Sequence, residues 1–248
     1  MASRTLVYEG FCRLSGAILT VLVAGLACAA AAPIAHWPMD KATDGLIADA
    51  ADNDHDATYF ATEGRRLDFA PGMVGKAVRL SKQAEGGFTV ANSHEFNFQG
   101  PFTVMAWVKP DRRNGTFEIA CMKGDKSGDP PWPGWRLRYF WTRVTLQIGT
   151  PQGQEPSVST PEWSVPPAFW SHVAATWDGK KLRAFVNGVE KASTEFAGEI
   201  APQARWRPLI LGNYIGRKNA YPFEGLLDEV KIFDTALSED EVFTNALK

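Results

Sequence analysis

The sequence predicts an all-β protein, a two-sheet antiparallel β-sandwich or jelly roll closed by a short C-terminal helix. Three observations predict it. Short apolar runs, roughly a dozen, recur between clusters of Gly, Pro, Asn and Asp, the rhythm of strands and turns. Where residues alternate they do so with period two, as in Leu182, Ala184 and Val186 against Arg183 and Phe185. Helical periodicity is nearly absent outside residues 238–247.

The elements follow in order. Residues 35–39 open the fold. The turn Pro71-Gly72-Met73-Val74-Gly75 leads into a strand at 77–80, and 87–91 follows. Residues 102–108 alternate until Lys109-Pro110-Asp111 stops them. Further strands are expected at 117–122, 135–141, 143–148, 157–160, 171–177, 182–187, 209–212 and 226–233. Asp178-Gly179 and Asn187-Gly188 supply hairpin turns, since these residues tolerate positive φ. Ser238 is placed to cap the final helix, with Glu239, Asp240 and Glu241 in its first turn. Trp107, Trp170 and Trp177 are expected to fill the core, and Gly75 and Gly225 to mark backbone bends.

The chain has 248 residues, and residues 1–32 read as a secretory signal peptide. Arg4 and Arg13 flank an apolar run at 17–27, and small residues lead to Pro33, so cleavage is expected near Ala30 or Ala32. The apolar run is short for a membrane span, which needs about 20 residues. Residues 33–248 then form one domain, secreted or held in the periplasm or cell envelope, with no membrane association once the signal is cut. Without Arg4, Arg13 and Glu9, 24 basic and 27 acidic residues remain of the 26 and 28. That balance argues against nucleic acid, which needs a clustered basic face. Cys121 stays alone in the mature chain and reads as a small buried residue.

Five blocks, taken in order, resemble the laminin-G-like, concanavalin A-like jelly-roll family. They are Trp37-Pro-Met-Asp40, Gly75-Lys-Ala-Val-Arg-Leu80, the run 102–110, the run 170–188, and the run 223–237. The last is the most distinctive, with Gly225, the acidic pair Asp228-Glu229 inside a strand, and Ala-Leu-Ser before the helix. The resemblance implies a structural calcium joining the first strand region to the last strand. Asp228 and Asp40 are the ligands it implies, since calcium takes carboxylate and carbonyl oxygens. Asp228 and Glu229, as neighbours in a strand, are expected on opposite faces. The acidic loop at 49–56 lacks EF-hand spacing. The other reading is a solvated acidic turn and a buried Asp satisfied by backbone N–H groups.

No catalytic residues are assigned. Related jelly-roll glycosidases carry two carboxylates at alternate positions of one strand, flanking the glycosidic bond. No such run occurs here, Glu118 stands isolated, and the four histidines lack metal-ligand spacing. An enzyme is therefore not expected.

Ligand binding points to the aromatic segment 129–141. Trp135, Leu137, Tyr139 and Trp141 share one strand face, and Arg136, Arg138 and Phe140 the other. Leu137 favours the first set as core, leaving Arg136 and Arg138 exposed. Trp132, bounded by prolines, and Tyr214 and Tyr221, in a polar-aromatic loop, complete the candidate site. Ordinary packing and an exposed loop is the alternative. The function expected is a secreted, non-catalytic domain that binds carbohydrate or an extracellular protein. A protein-interaction or adhesion module of the envelope, and an unrecognised polysaccharide-active enzyme, are the alternatives.

Overall fold

The computed structural model describes residues 31–123, 133–202, 208–214 and 221–247. The signal-peptide assignment to 1–32 therefore lies almost wholly outside the described residues. Sixteen strands lie among those described: β1 (Ala35–Trp37), β2 (Leu46–Ile47), β3 (Ala57–Phe60), β4 (Asp68–Pro71), β5 (Lys76–Leu80), β6 (Gly87–Val90), β7 (Phe102–Pro110) and β8 (Thr116–Lys123). The series continues with β9 (Gly134–Phe140), β10 (Arg143–Ile148), β11 (Ser157–Ser159), β12 (Ser171–Trp177), β13 (Lys181–Val186), β14 (Val189–Glu195), β15 (Ile210–Leu211) and β16 (Gly225–Phe233). One α-helix, α1 (Glu239–Ala246), ends the chain's described part.

Two antiparallel sheets form. Sheet one runs β14-β13-β12-β7-β16-β5-β4, with β1 also paired to β16; sheet two runs β11-β10-β9-β8-β15-β6-β3-β2. The expected sandwich is thus present, and each expected strand falls within a residue or two of its place. Missing from the sequence reading are β2, β3, β4 and β14. The first three are at most four residues long, and β14 is mostly exposed, so none shows an apolar repeat.

The core between the sheets follows from the two-residue repeat. Val104, Ala106 and Val108 of β7, Leu137 and Tyr139 of β9, and Leu227, Val230 and Ile232 of β16 all point into it. Trp135 and Trp177 sit there as expected, with Trp37 beside them. Trp107 and Trp170 do not. Trp107 alternates out of the core between Ala106 and Val108 and packs edge-on to His172, ring centroids 5.4 Å apart. Trp170 precedes β12 and is only half-buried, because it ends a loop rather than standing within a strand.

The turns obey their residues. Asn187 and Gly188, at φ 52° and 80°, make the two-residue link between β13 and β14 that needs left-handed backbone twice. Ser238 caps α1 reciprocally: its hydroxyl accepts from the Glu241 N–H at 3.3 Å, and Glu241 accepts from the Ser238 N–H at 2.8 Å. Val242 and Leu237 then cover Met105, Ala174, Phe185 and Phe233 on the outer face of sheet one.

The central strand β16 carries a bulge between Asp228 and Lys231, opposite β7. Glu229 sits in it at φ 48°, left-handed backbone that a glutamate adopts at a cost. The bulge breaks the alternation, so Asp228 and Glu229 do not point to opposite faces. Asp228 stands beside Trp107, and Glu229 meets His36 and Lys231, all on the outer side of sheet one.

His172 of β12 is buried on that same side, its Nδ1 without a hydrogen-bond partner. Burial, with the Lys231 charge adding, pushes its pKa down from 6.5 to about 4. The folded state therefore holds it neutral, while the unfolded chain takes up a proton below about 6.5. Stability from this group is complete above that pH and is lost as pH falls through about 4, a total of roughly 3 kcal/mol. Urea unfolding across pH 7 to pH 4 should show this decline, and His172→Gln should flatten it; an unchanged slope in the variant would count against the assignment.

Candidate functional site

Strand β9 sets the candidate site. Trp135, Leu137 and Tyr139 are buried in the core, so Arg136, Arg138 and Phe140 face outward from sheet two, but the two arginines are half-buried rather than exposed as expected, packed among their neighbours' polar groups. Trp141 departs from the expected set. The strand ends at Phe140, and Trp141 lies in the following turn, 43% exposed.

The neighbouring strands bring polar groups to the same face. Across β10, Gln147 faces Arg136 and Thr145 faces Arg138. Across β8, a bulge between Glu118 and Ala120 sets Glu118 against Arg138 and Cys121 against Arg136. Arg136 donates through Nε to Gln147 Oε1 at 2.9 Å and through Nη1 to Glu118 Oε1 at 3.3 Å. Lys123 pairs with Glu155 at 3.0 Å, and Thr145 with Ser159 at 2.9 Å. Arg138 lies 5.2 Å over the Phe140 ring. Cys121 is buried as expected, though beside these charges rather than in the inter-sheet core; burial raises its thiol pKa well above normal.

Glu118 is the residue the sequence reading passed over. It is wholly buried, and burial raises its pKa against the opposing pull of Arg136, Arg138 and Lys123. Its Oε2 accepts no hydrogen bond, and neither does the Nε of the facing Arg138 donate one. An acceptor and a donor are thus left over on adjacent strands. Both atoms are themselves shielded from solvent, so this mismatch lies beneath the outward row of side chains.

Tyr221 reaches β8 through its backbone. The Glu118 N–H donates to the Tyr221 carbonyl at 3.1 Å, which sets Tyr221 beside β8 on the side away from β9. The Tyr214 and Tyr221 rings lie 5.9 Å apart, and Asn213 anchors the base of their loop through Glu85 and Gly86 carbonyls. Arg136 and Arg138 therefore flank β8 at Glu118 on one side, and the Tyr221 backbone does so on the other, with the Tyr214 ring against that of Tyr221. Trp132 lies outside the described residues. The lone acid in the run Phe117-Glu-Ile-Ala-Cys-Met was the available signal, but its partners depend on a bulge that no local pattern announces.

The two carboxylates expected to hold a metal converge elsewhere, on the turn between β4 and β5. Asp228 Oδ2 accepts from the Met73 and Val74 N–H groups at 2.8 and 3.1 Å, and Asp40 Oδ1 accepts from Lys76 N–H at 2.6 Å. Gly75, at φ 56°, lies so close to Asp40 Oδ1 that a Cβ would collide with it. Asp228 Oδ1 is buried and unpartnered, and burial pushes this carboxyl up to about 6. Among the described residues no three His, Cys, Asp or Glu side chains gather. A cation here would rest on these two aspartates and on carbonyl oxygens, and the orphaned Oδ1 is the atom that fits it. In the 49–56 loop the acids instead staple the chain: Asp49 accepts from His36, Ala51 and Asn53 N–H groups, and Asp56 from Asp49.

Residues 82–243 match the family model of the concanavalin A-like lectin/glucanases superfamily. No curated protein sequence matches the chain. Among solved structures, domain 4 of AbnA, a GH43 extracellular arabinanase from Geobacillus stearothermophilus, in complex with arabinotriose, superposes with a TM-score of 0.65 at 23% identity. That match covers 87% of this chain and 98% of that domain. The botulinum neurotoxin serotype D ligand-binding domain with N-acetylneuraminic acid gives 0.60 at 13% identity, covering 87% and 50%. The neurotoxin DC binding domain with rat synaptotagmin II gives 0.61 at 11%, covering 87% and 51%. The chain thus spans about half the length of the toxin domains it matches. At these identities the likeness is one of fold.

Removing the buried Glu118 carboxyl should leave Arg136 without its acidic partner. Glu118→Ala is expected to cost about 3 kcal/mol in urea unfolding, and Glu118→Gln, which keeps the shape, clearly less. A neutral Glu118→Ala would contradict the anchoring role given to this residue.

Proposed function

The chain belongs to the concanavalin A-like lectin/glucanases superfamily, and from that premise we propose that it is a non-catalytic glycan-binding domain, secreted or held in the cell envelope. The observation that carries the reading is the outward polar row of sheet two, Arg136 and Arg138 with Gln147 and Thr145 opposite them. Sugars are dense in hydroxyls, which planar guanidinium and amide side chains of this kind bind. Arg136 is tied to Gln147 within the row, and the Tyr221 backbone lies beside the neighbouring strand, its ring 5.9 Å from that of Tyr214. Glu118 anchors Arg136, and among the described residues no second carboxylate is hydrogen-bonded to it for acid–base cleavage of a glycosidic bond. The fold relatives solved with arabinotriose and with N-acetylneuraminic acid support a sugar as ligand. The relative solved with synaptotagmin supports the second reading, an extracellular protein as partner.

Calcium belongs to the same proposal, in a structural role. Asp228 Oδ1 and Asp40 would hold it against the β4–β5 turn, and its charge would neutralise a carboxylate that burial disfavours. The chain's own part is visible in either state: Asp228 ties β16 to that turn through two N–H groups.

Two experiments test the proposal. The purified protein, screened on glycan arrays and soluble polysaccharides, should bind at least one class. Arg138→Met should weaken that binding about ten-fold with little change in Tm. Absence of binding to any glycan, or turnover of one, would overturn it. For the metal, added calcium should raise the Tm of the wild-type protein and chelation should reverse it. Asp228→Asn keeps an acceptor for Met73 and Val74 and should abolish the shift; a wild-type Tm indifferent to calcium would remove the ion from the proposal.

A further inference from the structure

Beyond the arginine row, two exposed indoles lie at and beside the turn between β9 and β10. Trp141 is 43% exposed and Trp163 is 54% exposed. Both are held in left-handed backbone, Trp141 at φ 49° and Trp163 at φ 65°, with Thr142 at φ 65° between strands β9 and β10. A two-residue link of this shape ordinarily selects Asn or Gly, so an indole and a β-branched residue are unfavourable here.

Specific contacts maintain this arrangement. Thr142 is fully buried and acts as the hub: its Oγ1 accepts from the Trp163 N–H at 2.8 Å, and its carbonyl accepts from the Val165 N–H at 2.9 Å. The Trp141 N–H donates to the Gly115 carbonyl at 3.2 Å. Arg113 lies 4.9 Å over the Trp163 ring, and Glu162 accepts from Arg113 at 3.1 Å and from Arg143 at 3.3 Å. Arg143 stands opposite Phe140, so it continues the outward row of Arg136 and Arg138. From Arg136 to Phe140 that row spans roughly 14 Å at the rise of a strand, more than a single small ligand group covers.

We infer that Trp163 and Trp141, with Arg113, Glu162 and Arg143, form a second subsite that takes a further sugar ring of the chain bound at Arg138. The inference rests on the glycan-binding reading and extends it: the ligand is an oligosaccharide or polysaccharide engaged along β9 and β10, not a single terminal sugar. The chemistry favours this occupant. A flat indole packs against the C–H face of a sugar, and planar guanidinium and carboxylate groups at its edge meet the hydroxyls. A lipid interior would reject the charged trio of Arg113, Glu162 and Arg143 beside the ring.

Native-gel affinity electrophoresis in soluble polysaccharides tests it, using arabinan, xyloglucan, hyaluronan and heparin as probes. The proteins compared are the wild type, Trp163→Ala, Trp163→Phe, Trp141→Ala and Arg138→Met, each with its Tm measured to confirm folding. The expected result is retardation of the wild type by a long chain, reduced about ten-fold in Trp163→Ala, largely kept in Trp163→Phe, and reduced in Trp141→Ala. Short oligomers of the same sugar should compete equally against the wild type and Trp163→Ala, and long ones only against the wild type with gain. Wild-type retardation that survives in both tryptophan variants but fails in Arg138→Met overturns the second subsite and leaves the glycan reading standing. Loss in the tryptophan variants with Arg138→Met unaffected keeps the aromatic site and removes the arginine one. Failure of every polysaccharide to retard the wild type overturns both. Cosedimentation of the wild type with phosphatidylcholine–phosphatidylglycerol vesicles, abolished in Trp163→Ala, overturns the sugar assignment in favour of a membrane contact.

Discussion

The pleat of β9 is the constraint on which the rest of the site depends. Burying Trp135, Leu137 and Tyr139 between the sheets sends Arg136, Arg138 and Phe140 to the other side. Slipping the strand by one residue would drive two guanidinium groups into the core and is excluded by their cost of desolvation. The hydrophobic core therefore positions the polar row as firmly as any direct contact does. The bulge in β8 then brings Glu118 under that row, where a straight ladder would have set a different residue.

Sheet one has a comparable device in β16. Its first half pairs with β5 and its second half with β1, and the bulge at Asp228–Lys231 marks the handover. Asp228 reaches back to the β4–β5 turn, while Glu229 accepts from His36 of β1 and from Lys231, both at 2.8 Å. Two adjacent acids thus tie the central strand to both of its successive neighbours. The left-handed backbone at Glu229 is the strain that lets both carboxylates reach the same side.

The fold was legible because its signals are local. Alternation in β7, β9, β12 and β13, the Asn187-Gly188 turn and the Ser238 cap each occupy a few consecutive residues. The inward and outward faces of β9 were legible for the same reason. What escaped was everything that depends on bulges. Glu118 read as isolated because its partners are 18 and 20 positions away, in a register shifted by one. Asp228 and Glu229 read as opposed because strict alternation was assumed where the strand breaks it. Trp107 read as core because an aromatic strand residue usually is, yet its neighbours Ala106 and Val108 had already claimed the inner face.

The margins of sheet one bear on how the protein behaves at high concentration. At one margin, β14 exposes Lys191 and Glu195, and the N–H of half-buried Glu190 is already taken by the Glu239 side chain of α1 at 3.0 Å. At the other, β4 ends in Pro71, which has no N–H to offer. Charge on one side and a missing donor on the other deny an incoming strand a clean ladder to extend. Edge-to-edge pairing, the usual hazard of an all-β chain, is thus hindered at both of these margins, which tells against their seeding fibrils when the protein is crowded on a surface or in a stored solution.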